Sequence, residues 1–321
     1  MPTAARYELK LGMATREAFG KALIELGRTN SNVVVLDADL SKSTYTAGFA
    51  KEFPGRFFEC GIAEANMMAI GAGLASAGKI PFASSFSVFA LNKGFEQLRV
   101  TAAFPNVNLK VVGTHSGISI GEDGPSQMSI EDLSLACSLA GFTVLCPADE
   151  VAMTKLVVAA AGHIGPLFIR AGRSKAPIIY RPEQEFTIGR AIELQEGADV
   201  TLIATGLLVA ESIRAAEALE AEGISARVLD LHTIKPLDRE AIARAAQETG
   251  AIVVAEEHLV DGGLGVRVAQ VVVQTHPAAM EFVGIRNTYA ESGTPDELLD
   301  KYGLRSRDVV AAARRALERK R

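Results

Sequence analysis

The stretch Cys60-Gly-Ile-Ala-Glu-Ala-Asn-Met-Met68 sets a single carboxylate, Glu64, among small and apolar residues. Two readings are open. A Glu in the first turn of a helix complements the positive end of the helix dipole. A carboxyl in a low-dielectric pocket instead has its pKa raised, because burial penalises the charge, and can share a proton with a nitrogen heterocycle. Downstream, Gly113-Thr-His-Ser-Gly-Ile-Ser-Ile-Gly-Glu-Asp-Gly-Pro-Ser-Gln-Met128 is longer and more polar than a connection needs. Its glycines permit unusual backbone angles and close ligand approach, which marks an active-site loop. His115 within it is either a reacting group or a satisfied structural histidine. Phe82, Phe86 and Phe89 recur at helical spacing, suiting a core stripe or a stacking platform for a flat ring. Arg170 and Arg173 leave an apolar run, as suits bidentate phosphate recognition or a surface ion pair. Glu256, Glu257 and His258 precede Asp261-Gly-Gly-Leu-Gly265, which lacks the full GxGxxG pattern and reads as a strand-to-helix turn.

Elements of regular spacing must position these groups. Short β-branched runs at 33–36, 109–112, 143–145 and 167–169 alternate with segments of helical period at 15–26, 65–77, 95–103 and 150–161. That alternation specifies an α/β fold, a mostly parallel sheet with helices on both faces. Residues 176–186, with Pro177, Arg181, Pro182, Glu183 and Gln184, break the pattern as a linker does. A second series follows: strands at 200–204, 226–229 and 251–254, helices at 207–221 and 306–318. The expectation is two α/β domains, 1–178 and 189–321, joined by a linker at 179–188. Ligands of such sheets gather at the carboxyl ends of strands. Asp37 and Asp39, the loop 115–127, and Arg170 with Arg173 are therefore expected along one edge.

Composition narrows the classes. The chain has 321 residues, 48% hydrophobic, with net charge −5, and so lacks the basic balance that neutralising nucleic-acid phosphates requires. Cys60, Cys137 and Cys146 form no CxxC pair, which argues against a disulfide framework or structural zinc and fits a reducing cytoplasm. Arg6, Glu8 and Lys10 are followed by no apolar stretch of signal-peptide type. The most apolar region, 67–90, is interrupted by Lys79 and Pro81, and a bilayer span needs about 20 apolar residues.

Together these segments resemble transketolase, in the part C-terminal to its diphosphate-binding domain. The resemblance runs from Met13-Ala-Thr-Arg16 through Leu36-Asp-Ala-Asp-Leu40, Gly61-Ile-Ala-Glu-Ala-Asn-Met67 and Gly121-Glu-Asp-Gly-Pro-Ser-Gln-Met128. It continues in His232-Thr-Ile-Lys-Pro-Leu-Asp238 and Gly293-Thr-Pro-Asp-Glu-Leu-Leu299. The GEDGPSQ string is specific to transketolases, whereas the segment around Glu64 is shared with the wider thiamine-diphosphate superfamily. The resemblance implies a pyrimidine-binding domain followed by a transketolase C-terminal domain. Glu64 would match the carboxyl that hydrogen-bonds the aminopyrimidine of thiamine diphosphate, controlling its tautomer, while the carbon chemistry is the cofactor's. Phe86 and Phe89 would match the aromatics packed on that ring. His115 and Asp123 would match residues at the donor hydroxyls and reacting oxygen. Arg16, Ser43 and Arg173 would match contacts to substrate phosphate or distal hydroxyls, and Asp39 a sugar-hydroxyl or pocket-edge residue. Gln127 stands where some transketolases have His and others Gln, and would hydrogen-bond substrate.

The superfamily holds its diphosphate through Mg²⁺ on a Gly-Asp-Gly motif, and that string does not occur in this sequence. The expectation is a ketol transferase acting on sugar phosphates, with Mg²⁺ and the diphosphate held by a separate N-terminal subunit. Self-association through a dimer core would complete a heterotetramer. Three rivals stand beside it: the beta subunit of a 2-oxo-acid dehydrogenase, 1-deoxyxylulose-5-phosphate synthase, and a non-catalytic scaffold paralogue. The GEDGPSQ loop with His115 and Arg173 favours sugar phosphates over oxo acids.

Overall fold

The computed structural model describes residues 7–320. Strands Phe57–Glu59, Val33–Asp37, Ile80–Phe86, Lys110–Thr114, Leu167–Arg170 and Thr143–Leu145 lie side by side in that order, all parallel. The alternation of each strand divides its side chains between two cores. Val33, Val35, Phe82, Val112, Leu167 and Ile169 face helices Thr15–Thr29 and Glu150–Gly162. Leu36, Ala83, Val111 and Phe168 face the opposite side, where Met67 and Met68 of helix Glu64–Ser76 pack. Helix Thr15–Thr29 buries Ala18, Phe19, Ala22, Leu23 and Leu26, a stripe of helical period. Covered on both faces, strand Val33–Asp37 is buried along its whole length, as a central parallel strand must be.

A second sheet has the order Ala279–Ile285, Ala251–Leu259, Val200–Ala204, Ala226–Asp230, Ile192–Gln195, with only the last antiparallel. Helices Leu208–Ala221, Arg239–Thr249, Leu264–Thr275 and Ser306–Glu318 cover it. The two regions interlock. Strand Thr233–Lys235 leaves the second region to pair antiparallel with Thr143–Leu145, as the seventh strand of the first sheet. One hydrophobic cluster runs from Met67 and Leu133 across to Ile203, Ile252 and Val268. Where the chain crosses between regions, Asp149 caps helix Glu150–Gly162 by accepting from the Ala152 N at 2.8 Å. Its other oxygen accepts from Ile179 N and Tyr180 N at 2.8 and 2.9 Å.

Two segments noted for helical spacing differ. Phe82 and Phe86 lie on strand Ile80–Phe86, because residues four apart share a face in a strand as well as in a helix. Phe89 opens a π-helical turn, Phe89–Lys93. The segment beginning at Phe95 is α-helical only through Gln97 and then widens into a π-helix, Leu98–Ala103, closed by Phe104 N donating to Arg99 O at 3.0 Å. Such wide turns recur near functional sites. Among the described residues, no helix is long and apolar enough to cross a membrane.

Candidate active site

The carboxyl edge of the first sheet carries a continuous chain of contacts. Glu64 opens helix Glu64–Ser76 and is 3% exposed. Its Oε2 meets the Lys93 ammonium at 3.3 Å, and the same ammonium stands 4.5 Å from the centre of the Phe89 ring. Phe89 stacks on Phe86, centroids 5.7 Å apart and planes within 9°. Phe86 in turn stacks on the His115 imidazole at 3.7 Å. Glu64 meets both readings, opening a helix while buried, but with a half-exposed cation against it.

His115 follows strand Lys110–Thr114 with φ +57, a left-handed conformation that costs a non-glycine residue energy. That turn aims its ring into the protein, where the residue is 2% exposed. Nε2 lies 3.0 Å from Arg16 Nη1 and Nδ1 lies 2.9 Å from Thr114 Oγ1. A guanidinium only donates, so Nε2 accepts, and the ring proton sits on Nδ1 facing the threonine hydroxyl. Burial, then the charges of Arg16 and Arg173, push the imidazole pKa down to about 3. The ring is consequently neutral in the physiological range.

Arg16 sits in the first turn of helix Thr15–Thr29. The start of that helix is anchored at the sheet edge by Gly172 N donating to Thr15 Oγ1 at 2.7 Å. Arg16 Nη1 also donates to the Ser43 carbonyl at 2.8 Å, and its guanidinium lies 5.3 Å from the Tyr45 ring centre. Tyr45, like His115, has a positive φ, +65. The Nε of Arg16 is buried without a partner. Burial lowers the Arg16 pKa, while Tyr45 raises it; Asp123 also acts on it from the exposed tip of the glycine-rich loop.

Of the residues singled out from sequence, Glu64, Phe86, Phe89, His115, Arg16 and the Ser43 main chain form this chain directly. Arg173 borders it: its Nη1 donates to Ile120 O at 2.5 Å and to Glu122 at 3.0 Å, and its charge reaches His115 and Arg16. Asp123 borders it through charge alone. Gln127 is half-buried and bonded to Ser126, and Asp39 is exposed with its N bonded to Glu59, so neither joins the chain. Lys93, Tyr45 and Thr114 escaped sequence reading. Thr114 sits within a loop flagged for its neighbours and Lys93 lies between two flagged segments, and nothing local distinguishes either.

Arg170 is neither a phosphate fork nor a surface ion pair. It is buried, with Nε on Asp132 at 2.8 Å and Nη2 on the carbonyls of Ser129 and Glu257 at 3.2 and 2.9 Å. The glycine-rich turn at 261–265 does lead from strand to helix. Its first helical amides, Leu264 N and Gly265 N, donate to Glu256 at 2.7 and 2.8 Å, so the protein's own carboxylate occupies that helix terminus.

Residues 12–178 match the family described as transketolase, pyrimidine binding domain, and residues 189–309 match transketolase, C-terminal domain. The chain belongs to the transketolase family. It is 44% identical over 306 residues to a chain assigned as a transketolase C-terminal section from Methanocaldococcus jannaschii, covering 94% of this chain and 95% of that one. It is 40% identical over 305 residues to a 6-deoxy-6-sulfo-D-fructose transketolase subunit from a Clostridium species, covering 95% of each. A solved structure described as a split-gene transketolase, an inactive β4 tetramer, superposes with TM-score 0.91 at 50% identity, covering 97% of this chain and all of the other.

Membership of the transketolase family implies thiamine diphosphate and a divalent metal. The site fits the pyrimidine end of such a group. A buried carboxyl stands beside near-parallel aromatic rings, both touched by one ammonium, which is the chemistry a flat, hydrogen-bonding heterocycle requires. Among the described residues, no group of three or more His, Cys, Asp or Glu is arranged to hold a metal ion.

Proposed function

We propose that this chain is the pyrimidine-binding and C-terminal part of a transketolase. The enzyme would transfer a two-carbon ketol unit from a ketose phosphate to an aldose phosphate. A separate chain would hold the diphosphate and Mg²⁺. The observation that carries the reading is the unbroken contact series from Glu64 through Phe89, Phe86 and His115 to Arg16, because it joins a ring-binding end to a hydroxyl- and anion-binding end. When bound, thiamine diphosphate supplies the nucleophilic carbon for cleaving and forming the carbon–carbon bond. Glu64 would hold the aminopyrimidine by a hydrogen bond, with Phe86 and Phe89 packed on its face. His115, neutral and with its Nε2 lone pair toward Arg16, would accept a hydrogen bond from a donor hydroxyl in exchange with Arg16. Arg16 and Arg173 would place substrate phosphate, while Asp39, Ser43, Asp123 and Gln127 would line the sugar.

The same reading divides the chain at 1–178, 179–188 and 189–321 and places it in a reducing cytoplasm. It also pairs two such chains with two diphosphate-binding partners. Support for the partner comes from relatives of the same length being called a C-terminal section and a subunit, and support for self-association from the similar structure being called a tetramer. The deciding experiment replaces Glu64 with Gln in the chain co-purified with its partner, thiamine diphosphate and Mg²⁺. Ketol transfer from xylulose 5-phosphate to ribose 5-phosphate should fall roughly 10²–10⁴-fold while the complex keeps its mass, the range lost with an acid–base group. Turnover equal to that of the unaltered chain would leave the scaffold reading standing.

A further inference from the structure

The loop that carries His115 meets the second region at several points, and at Glu257 a side chain from that region bonds its backbone. Glu257, near the end of strand Ala251–Leu259, is 4% exposed. Its Oε1 accepts a hydrogen bond from Ser119 N at 2.6 Å. A Cβ on Gly117 would stand 2.2 Å from the same carboxylate, at a residue whose φ of +78 already favours glycine. The Glu257 side chain therefore closes on the turn at both Gly117 and Ser119. Its main chain holds a second group: Glu257 O accepts from Arg170 Nη2 at 2.9 Å. Arg170 pairs with Asp132, and Asp132 also accepts from Ser87 Oγ at 2.8 Å. Ser87 directly follows Phe86. Thus a single residue touches the His115 turn through its side chain and reaches the aromatic platform through Arg170, Asp132 and Ser87.

We propose that Glu257 is a positioning residue: its carboxylate sets the 116–119 turn, and with it the placement of the His115 imidazole. The second region would thereby shape a site whose named ligand-facing residues all belong to the first. A carboxylate accepting a buried main-chain N–H makes a short, charge-assisted bond. Gln offers an acceptor at the same reach, Asp keeps the charge but is one methylene short, and Ala leaves the Ser119 N–H unpaired. The order of effect should therefore be Gln smallest, with Asp and Ala both large.

The test compares the full chain with its Glu257→Gln, Glu257→Asp and Glu257→Ala variants by hydrogen–deuterium exchange. Peptides covering 114–122 should exchange about tenfold faster in the Asp and Ala variants, matching the loss of roughly one hydrogen bond, and near the unaltered rate in Gln. Peptides covering 33–37 and 200–204 should not change. If the Ala variant does not fold, the Asp variant gives the same reading. Equal protection of 114–122 in Asp and unaltered chain would overturn the proposal, as would faster exchange spread evenly over both sheets. A second arm rests on the transketolase reading: in the complex with the partner, the Asp variant should raise the KM for the ketose phosphate about tenfold and keep kcat within a few-fold. A proportional loss of kcat at constant KM would overturn the positioning role. Absence of ketol transfer in the unaltered complex would refute the proposed function, while the exchange arm would still decide the role of Glu257.

Discussion

At the carboxyl edge of the seven-stranded sheet, the chain releases Phe86, Thr114 and His115 into a line of groups that runs from half-exposed Lys93 to Arg16, with Arg173 beside it. At the same edge of the five-stranded sheet it releases Thr205, Asp230, Glu256 and Glu257, and each meets protein. Thr205 donates to Cys146 O, Asp230 accepts from Tyr180, Glu256 takes two amides of its own region, and Glu257 takes Ser119 N. Both edges concentrate polar groups for the same topological reason. What differs is cover. The second edge is pressed against the first region and Thr233–Lys235 is threaded into the first sheet, so its polar groups hold protein where the others are placed to hold ligand.

The strongest way to break that comparison is at the junction. Although burial pushes the Asp132 carboxyl up, the charge and hydrogen bond of Arg170, with His258 and Ser87, bring it below the usual carboxylate range. Arg170→Met leaves Asp132 charged and buried without its main partner, which typically costs about 3–5 kcal/mol. Urea unfolding should show that loss, and the double variant Arg170→Met with Asp132→Leu should recover at least half of it. A single variant within about 1 kcal/mol of the unaltered chain would mean that the Arg170–Asp132 pair adds little to the junction.

The elements themselves were legible because their signals are local. Strand Val200–Ala204, helix Leu208–Ala221 and helix Ser306–Glu318 follow from the periodicity of their own residues. Glu64 and the His115 loop stood out because polar groups in apolar or glycine-rich settings are unusual. The misses are non-local. Arg170 reads alike whether it faces solvent or Asp132, and its partner lies 38 residues away. Thr233–Lys235 carries no mark of the sheet it joins. The Phe82, Phe86, Phe89 spacing fits one face of a helix or of a strand, and only pairing with Val33–Asp37 and Lys110–Thr114 decides. Glu257 stood out only as a charged neighbour of the 261–265 turn, since its role depends on a loop from the other region.

A smaller effect is expected at the crossing between regions. The Tyr180 hydroxyl donates to Asp230 Oδ2 at 2.5 Å, both groups being buried. Burial pushes Asp230 up to about 7, with the Tyr180 hydrogen bond acting against that rise. Tyr180→Phe removes that bond and should cost about 1–3 kcal/mol, the penalty of an unpaired buried acceptor. It should also raise the Asp230 pKa further. The folded chain keeps a proton on Asp230 that the unfolded chain releases, so this group's contribution is present below pH 3.8 and lost as pH rises toward 7. Unfolding midpoints at pH 5 and 8 should diverge more in the Phe variant than in the unaltered chain, and equal divergence would exclude Asp230 as the source.

His115 gives the opposite slope in the first region, and its test is the finest. Its folded pKa, about 3, lies below the ordinary 6.5, so the unfolded chain binds the proton that the folded chain refuses. Its contribution is intact above pH 6.5 and is lost as pH falls toward 3. Burial is the largest cause and the Arg16 charge the next. Arg16→Met should therefore lift the imidazole titration, followed by NMR, only part of the way from about 3 toward 6.5. An imidazole that does not move would leave the depression to burial and Arg173, reduce Arg16 to a packing neighbour and make Arg173 the residue to remove next. One that titrates at 6.5 would assign the whole depression to the Arg16 charge.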